Sequence, residues 1–117
     1  MTQGPIRVEI VAPVHNRKEL TLLCLQSLSR INSTGLDVGI VIVDDGSTDG
    51  TSDAIREKFP SVDIVSGDGE LWFTEGTNVG VRRALERDPK YILLMNDDQV
   101  FDEDFLVRLV ETAERNP

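Results

Sequence analysis

Along this chain the spacing of apolar residues alternates between strand-like and helix-like periods, and each switch predicts an element. The segment IRVEIVAP, residues 6–13, is short and β-branched and stops at Pro13, whereas NRKELTLLCLQSLSRI, 16–31, sets Leu20, Leu23, Cys24, Ser27, Leu28 and Ile31 at helical spacing. DVGIVIVDD, 37–45, is almost continuous Val and Ile, the composition of a strand covered on both faces. In GSTDGTSDAIREKF, 46–59, Ser47, Thr48 or Asp49 can cap a helix that Pro60 ends. SVDIVS, 61–66, is a third strand. GDGELWFTEGTNVG, 67–80, then breaks the rhythm with four glycines, and a helix running to residue 88 is expected to begin near Thr77 or Asn78. KYILLMN, 90–96, reads as the fourth strand, and DEDFLVRLVETAERN, 102–116, as an amphipathic helix with Phe105, Leu106, Leu109, Val110 and Ala113 on one side.

Four β-α units joined by short connections predict an α/β fold, a Rossmann-like, doubly wound, mostly parallel sheet. Such sheets bind ligands at the carboxyl ends of their strands, where strand order reverses. The polar clusters fall there: Pro13 to Lys18, Asp44 to Asp49, Gly67 to Asn78 and Asn96 to Gln99 each follow a predicted strand. Turns and caps need some Asp and Gly, but adjacent acids after two separate strands exceed that need and point to a shared site.

Composition narrows the partners. With 117 residues, 39% hydrophobic and 28% charged, the chain fits one globular domain, 1–117. Twenty-one Asp and Glu against 12 Lys and Arg give a net charge of -9 with no basic run, which works against sequence-independent binding of nucleic acid through its phosphates. Cys24 is the single cysteine and lies on an apolar helical face, where it reads as a small buried side chain. The start, MTQGPIRVEI, lacks the basic and apolar regions of a secretory signal, so the expected location is the cytoplasm, including the inner face of the membrane. Asn32-Ser33-Thr34 matches a glycosylation acceptor and reads as a polar loop.

The stretch YILLMNDDQVF, 91–101, runs a buried strand into Asn96, Asp97 and Asp98. Two like charges about 4 Å apart repel by roughly 4 kcal/mol at an effective dielectric near 20, a cost that a bound cation removes. Carboxylate oxygens are hard ligands suited to Mg2+ or Mn2+, and magnesium takes one or two of them and fills its other positions with phosphate and water. Neighbours on a strand point to opposite faces, so Asp98, farther out on the turn, is the first candidate and Asp97 the second. No Gly-x-Gly-x-x-Gly or Walker A sequence follows the first strand, where the chain reads VAPVHNRKE. Acids and amides with few cations suit a nucleoside diphosphate delivered with a divalent metal.

The series VAPVHNRKEL, VIVDDGSTDGT, GELWFTEGTNVGVRRAL and YILLMNDDQVFDEDFL, from about residue 6 to 115, resembles the N-terminal nucleotide-sugar half of inverting family 2 glycosyltransferases with the A-type fold. The Leu-Trp-Phe and MNDDQ stretches resemble the rhamnosyltransferase-type branch. The resemblance implies transfer of a sugar, with inversion and a divalent metal, from a UDP-, dTDP- or GDP-sugar to a saccharide or lipid-linked acceptor, as in cell-envelope polysaccharide synthesis. It implies that Pro13, His15 and Asn16 with Asp44 and Asp45 hold the nucleoside. It places Asn96, Asp97 and Asp98 at the family's Asp-x-Asp metal motif, with Asn96 where the first Asp usually stands and Asp97 also beside the nucleotide. Gly76-Thr77-Asn78 would start the helix beside the diphosphate and donor sugar. The family's catalytic base lies beyond the metal motif, so the resemblance implies a donor-binding half, truncated before the acceptor half, inactive alone and prone to self-association.

Each assignment has a structural alternative. His15 can be an exposed loop residue, Asn16 and Asp49 helix caps, Trp72 a core or subunit contact as readily as a wall of the donor pocket, and Arg82 and Arg83 a solvated helix face with Arg82 within reach of a phosphate. Asp102, Glu103 and Asp104 complement the N-terminus of the last helix. Two other functional classes share the pattern: a non-catalytic nucleotide-binding or assembly module, and a nucleotidyltransferase-like enzyme, whose Gly-rich basic N-terminal loop is missing here. A receiver-type phosphoacceptor domain needs a Lys after a later strand and a fifth β-α unit, neither of which is visible.

Overall fold

The computed structural model describes residues 4–116. Strands β1 (Ile6–Val14), β2 (Leu36–Asp45), β3 (Asp63–Gly67) and β4 (Tyr91–Leu94) pair in parallel in the order β3-β2-β1-β4. Helices α1 (Lys18–Ser29), α2 (Thr51–Lys58), α3 (Trp72–Leu85) and α4 (Phe105–Arg115) each follow one strand. This is the expected doubly wound α/β architecture. The order reverses at β1, whose neighbours are β2 and β4, so a crevice opens between their carboxyl ends.

Side-chain alternation along β1 divides the interior. Val8, Ile10, Ala12 and Val14 face a large core shared with Leu25 and Leu28 of α1, Ile55 of α2, and Leu106 and Val110 of α4. On the other face, Val11 joins Val41, Val43 and Ala84 of α3 in a smaller core. Three helices therefore cover one face of the sheet and α3 alone covers the other. Each fully buried Leu or Ile adds about 1.5–3 kcal/mol, so the larger core supplies most of the driving force.

The face under α3 also carries charge. Glu9, fully buried in mid-sheet, pairs with Arg7 at 2.5 Å and with Arg87, in the turn after α3, at 2.9 Å. Arg83 and Arg87 both reach Asp63 at 2.6 Å. Burial works to raise the Asp63 carboxyl, but the two guanidiniums outweigh it and hold it below its ordinary value. Arg83 is thus an anchor of α3, while Arg82 pairs with Glu75 at 3.3 Å on the exposed side. Gly39 of β2 makes room for this network, since a Cβ there would stand 2.0 Å from Glu9 Oε2.

Several predicted boundaries move, those of α3 and β4 with most bearing on the site. Helix α3 begins at Trp72 instead of at Thr77 or Asn78, and β4 ends at Leu94, short of Asn96. Among the described residues no helix is long and apolar enough to cross a membrane.

Candidate functional site

Asp45 ends β2 on the face covered by α3, and its carboxylate accepts the backbone N–H groups of Gly69 (2.8 Å), Leu71 (3.1 Å) and Trp72 (3.0 Å). These are the orphan donors of the α3 N-terminus and of the loop leading to it, so α3 starts where this acceptor stands. The glycines at 76 and 80 are consequently helical. Burial opposes the charge, yet the amides of Trp72, Leu71 and Gly69 together hold the Asp45 carboxyl below its ordinary value.

Asp44 faces the opposite side, accepting the Ser47 amide at 3.0 Å and the Ser52 hydroxyl. The acidic pair is therefore split across the sheet and each member organises a different loop. Gly46 follows with φ 73°, and a Cβ on it would meet Gly69 Cα at 2.9 Å, so only glycine lets these two loops touch.

The loop after β1 is bonded to the loop after β2. His15 donates from Nδ1 to the Asp45 carbonyl at 2.6 Å, the Asn16 amide donates to Ser47 Oγ at 2.8 Å, and Asn16 Oδ1 accepts the Thr48 amide at 2.7 Å. Asn16, at φ 51°, is thus a bridge between loops and not the cap of α1. Asp49 does the capping, taking the Lys18 amide at 3.0 Å on one oxygen and the Thr51 amide at 3.1 Å on the other. It serves the first residues of α1 and α2 at once.

Beyond β4 the chain turns, and the alternation expected to separate Asp97 from Asp98 does not apply. Both carboxylates approach Arg17 Nη1, at 3.6 Å and 3.8 Å. Asp97 is buried and accepts the Thr21 hydroxyl of α1 at 3.3 Å; Asp98 is half exposed. Burial pushes the Asp97 carboxyl above its ordinary value, with Arg17 partly offsetting it. The neighbouring Cys24 thiol is pushed up to about 11 by burial and by the Asp97 charge, which makes it unreactive, in keeping with a core position.

Among the described residues no three His, Cys, Asp or Glu side chains gather into a metal cage. The donor set instead fits a hard divalent ion bound by the oxygens of Asp97 and Asp98 and completed by ligand and water. These elements enclose a cavity of about 510 Å³, a size suited to a small-molecule ligand. Pro13, His15 and Arg17 form one wall, Asp45 with Trp72 and Phe73 a second, and Asn96 to Asp98 the third. Of the residues singled out in the sequence, Pro13, His15, Asp45, Asp97 and Asp98 line it. Asn16 and Asp44 stand behind it in the loop bonds described above. Gly76 lies on the second turn of α3, where a Cβ would come 3.1 Å from Pro13 Cβ, and Asn78 is exposed farther along, so the expectation that they open the helix is corrected. Arg17, the guanidinium between Asn16 and Lys18, is a site residue that the sequence reading does not single out. Trp72 is 74% exposed, which removes it from the core.

Comparison with known proteins places this geometry. Glycosyl transferase family 2 matches residues 9–117. An N-acetylglucosaminyltransferase of Azorhizobium caulinodans is 32% identical over 114 residues, covering 91% of this chain and 27% of the relative. Among solved structures, the mannosyltransferase PcManGT from Pyrobaculum calidifontis, in complex with GDP-Man and Mn2+, superposes with a TM-score of 0.78 at 24% identity over 94% of this chain and 32% of that one. S. aureus TarS 1-349 in complex with UDP-GlcNAc gives 0.71 at 18% identity, again over 94% and 32%. The chain thus spans about a third or less of these proteins, and the structural likenesses establish a shared fold.

Proposed function

Because the chain belongs to glycosyl transferase family 2, we propose that its cavity binds a nucleoside-diphosphate sugar as the donor of glycosyl transfer. The observation that carries this reading is that one cavity at the switch point of the sheet has Pro13, His15 and Asp45 at its β2 side and the Asp97-Asp98 pair at its β4 side. The first group suits an uncharged nucleoside and the second a diphosphate with its cation. A carboxylate has about four acceptor positions; Asp45 uses part of them on three amides and keeps capacity for an imide N–H of uracil or thymine. Asp44 and Asn16 act indirectly by holding the loops, and Gly76 by letting α3 approach β1. The relatives' GDP-Man and UDP-GlcNAc complexes support a donor of this class, a UDP-, dTDP- or GDP-sugar.

Asp98 and Asp97 are the residues that would hold Mg2+ or Mn2+, which when bound supplies positive charge to a departing diphosphate. In an inverting transfer the acceptor hydroxyl attacks the anomeric carbon opposite the diphosphate, the bond to the diphosphate oxygen breaks, and a general base takes the hydroxyl proton. We assign Asp45 to the nucleoside and Asp97 and Asp98 to the diphosphate with its cation, and none of them to the base. The purified chain accordingly binds donor without turning it over.

Calorimetric titration with UDP, dTDP and GDP, with and without Mn2+, tests the reading. Metal-dependent binding of at least one diphosphate is expected, and Asp98→Ala should abolish the metal-dependent part. Unchanged affinity in that variant would move the metal site elsewhere, and no binding of any of the three would sink the donor site. Efficient sugar transfer by the chain alone would overturn the assignment of the acids.

A further inference from the structure

We propose that Trp72 is the stacking platform for the nucleobase, an inference that rests on the donor-site reading above and adds a recognition residue to it. Trp72 lies in the left-handed region, φ 58°, where a bulky side chain is rare and strained. Its amide is tied to Asp45 at 3.0 Å, so the clamp that starts α3 also enforces this backbone. The indole it carries is 74% exposed and lines the cavity. Strained backbone and exposed aromatic surface both disfavour the folded chain, and they coincide on one residue at the mouth of the site.

Position selects the ligand group. Asp97 and Asp98 stand after β4, on one side of β1, whereas Trp72 is anchored to the end of β2 on the other side. A nucleoside diphosphate with its phosphates at the acids extends its base toward Asp45 and Trp72. There the two residues divide the work: the indole covers the π-face, and the Asp45 carboxylate meets the polar edge. Stacking accepts any base, so discrimination among bases falls to the edge contact.

Trp72 is the only tryptophan of the chain, so fluorescence excited selectively at tryptophan, beyond the absorption of Tyr91, reports on it alone. Titration of the full chain with UDP, dTDP and GDP, and with uridine, thymidine and guanosine, should quench that signal for the bases that bind. Inorganic pyrophosphate with Mn2+, or a free monosaccharide, should leave it unchanged. By calorimetry, Trp72→Gly should weaken binding roughly tenfold or more, while thermal stability holds or rises because glycine accepts the positive φ. Trp72→Phe should restore most of the affinity. Unchanged nucleotide affinity in Trp72→Gly overturns the assignment alone, and would leave the exposed indole as a protein-contact surface. A phenylalanine variant as weak as the glycine one also overturns it. If the unaltered chain binds no nucleotide by calorimetry, the donor-site reading falls and this assignment with it.

Discussion

At Asp45 the amides of Gly69, Leu71 and Trp72 converge on one buried carboxylate, so its removal takes away the anchor of a loop and of a helix start together. Hydrogen bonds to a charged group contribute about 1.5–3 kcal/mol each at most, and the orphaned amides can recover some of that from water, so Asp45→Ala should cost roughly 2–4 kcal/mol. Urea unfolding measures it, and Asp45→Asn, which keeps an acceptor oxygen, should lose less. The pH dependence has a definite sign. The folded carboxyl is held below its ordinary value and returns to about 3.9 on unfolding, so its contribution is complete above that pH and drains away as pH falls through the folded value. An acid titration of stability should therefore be flatter in Asp45→Asn between about pH 4 and the acid limit; identical curves would place the effect on another group. The adjacent acids themselves were legible in VIVDDGSTDGT. Their separate partners were not, because the amides that meet Asp45 lie 24 to 27 residues away and come near it only in the fold.

Helix α3 shows why element boundaries were harder to read than element order. The Val- and Ile-rich runs announce four strands, since period and composition are local properties. The α3 start is not local: with Gly76 and Gly80 in the segment, intrinsic propensity favours a loop, and the carboxylate that overrides it comes from β2. Those glycines bring α3 onto the sheet. A Cβ at Gly80 would meet Val11 Cγ1 at 2.4 Å and Val43 Cγ2 at 3.0 Å. Gly80→Ala gains about 1 kcal/mol of helix propensity but overpacks the small core, at a cost of roughly 1–3 kcal/mol. Thermal denaturation should show a net loss, and a raised midpoint would mean that Val11 yields freely. The same helix read as a solvated face at its arginines, because nothing in VRRALERD reveals that Glu9 waits beneath it. Removing one partner of a buried pair costs about 3 kcal/mol or more, so Arg87→Met should be strongly destabilising. The double change Glu9→Leu with Arg87→Met should recover part of the loss, and strict additivity in that cycle would deny the coupling.

Seen as a whole, the molecule is covered unevenly. The face carrying α3 is left open toward the β4 edge, where Leu94 is 51% exposed beside Phe73 at 61%. Contiguous apolar surface of this kind favours association, while a net charge of -9 opposes it. Self-association that grows with salt is therefore expected in light scattering, and Leu94→Lys should reduce it; a monodisperse monomer at high salt and high concentration would count against this. The loops after β1 and β2 carry a different lesson for anyone altering ligand choice. Through His15, Asn16 and Lys18 on one side, and the Asp45 carbonyl, Ser47, Thr48 and Asp49 on the other, they share one set of bonds. A graft that imports 13–18 without 44–51 cuts that set and presents the cavity with two ill-fitting halves. The exchangeable cassette is the pair, and variation in nature or in a library is expected to sample the two loops jointly.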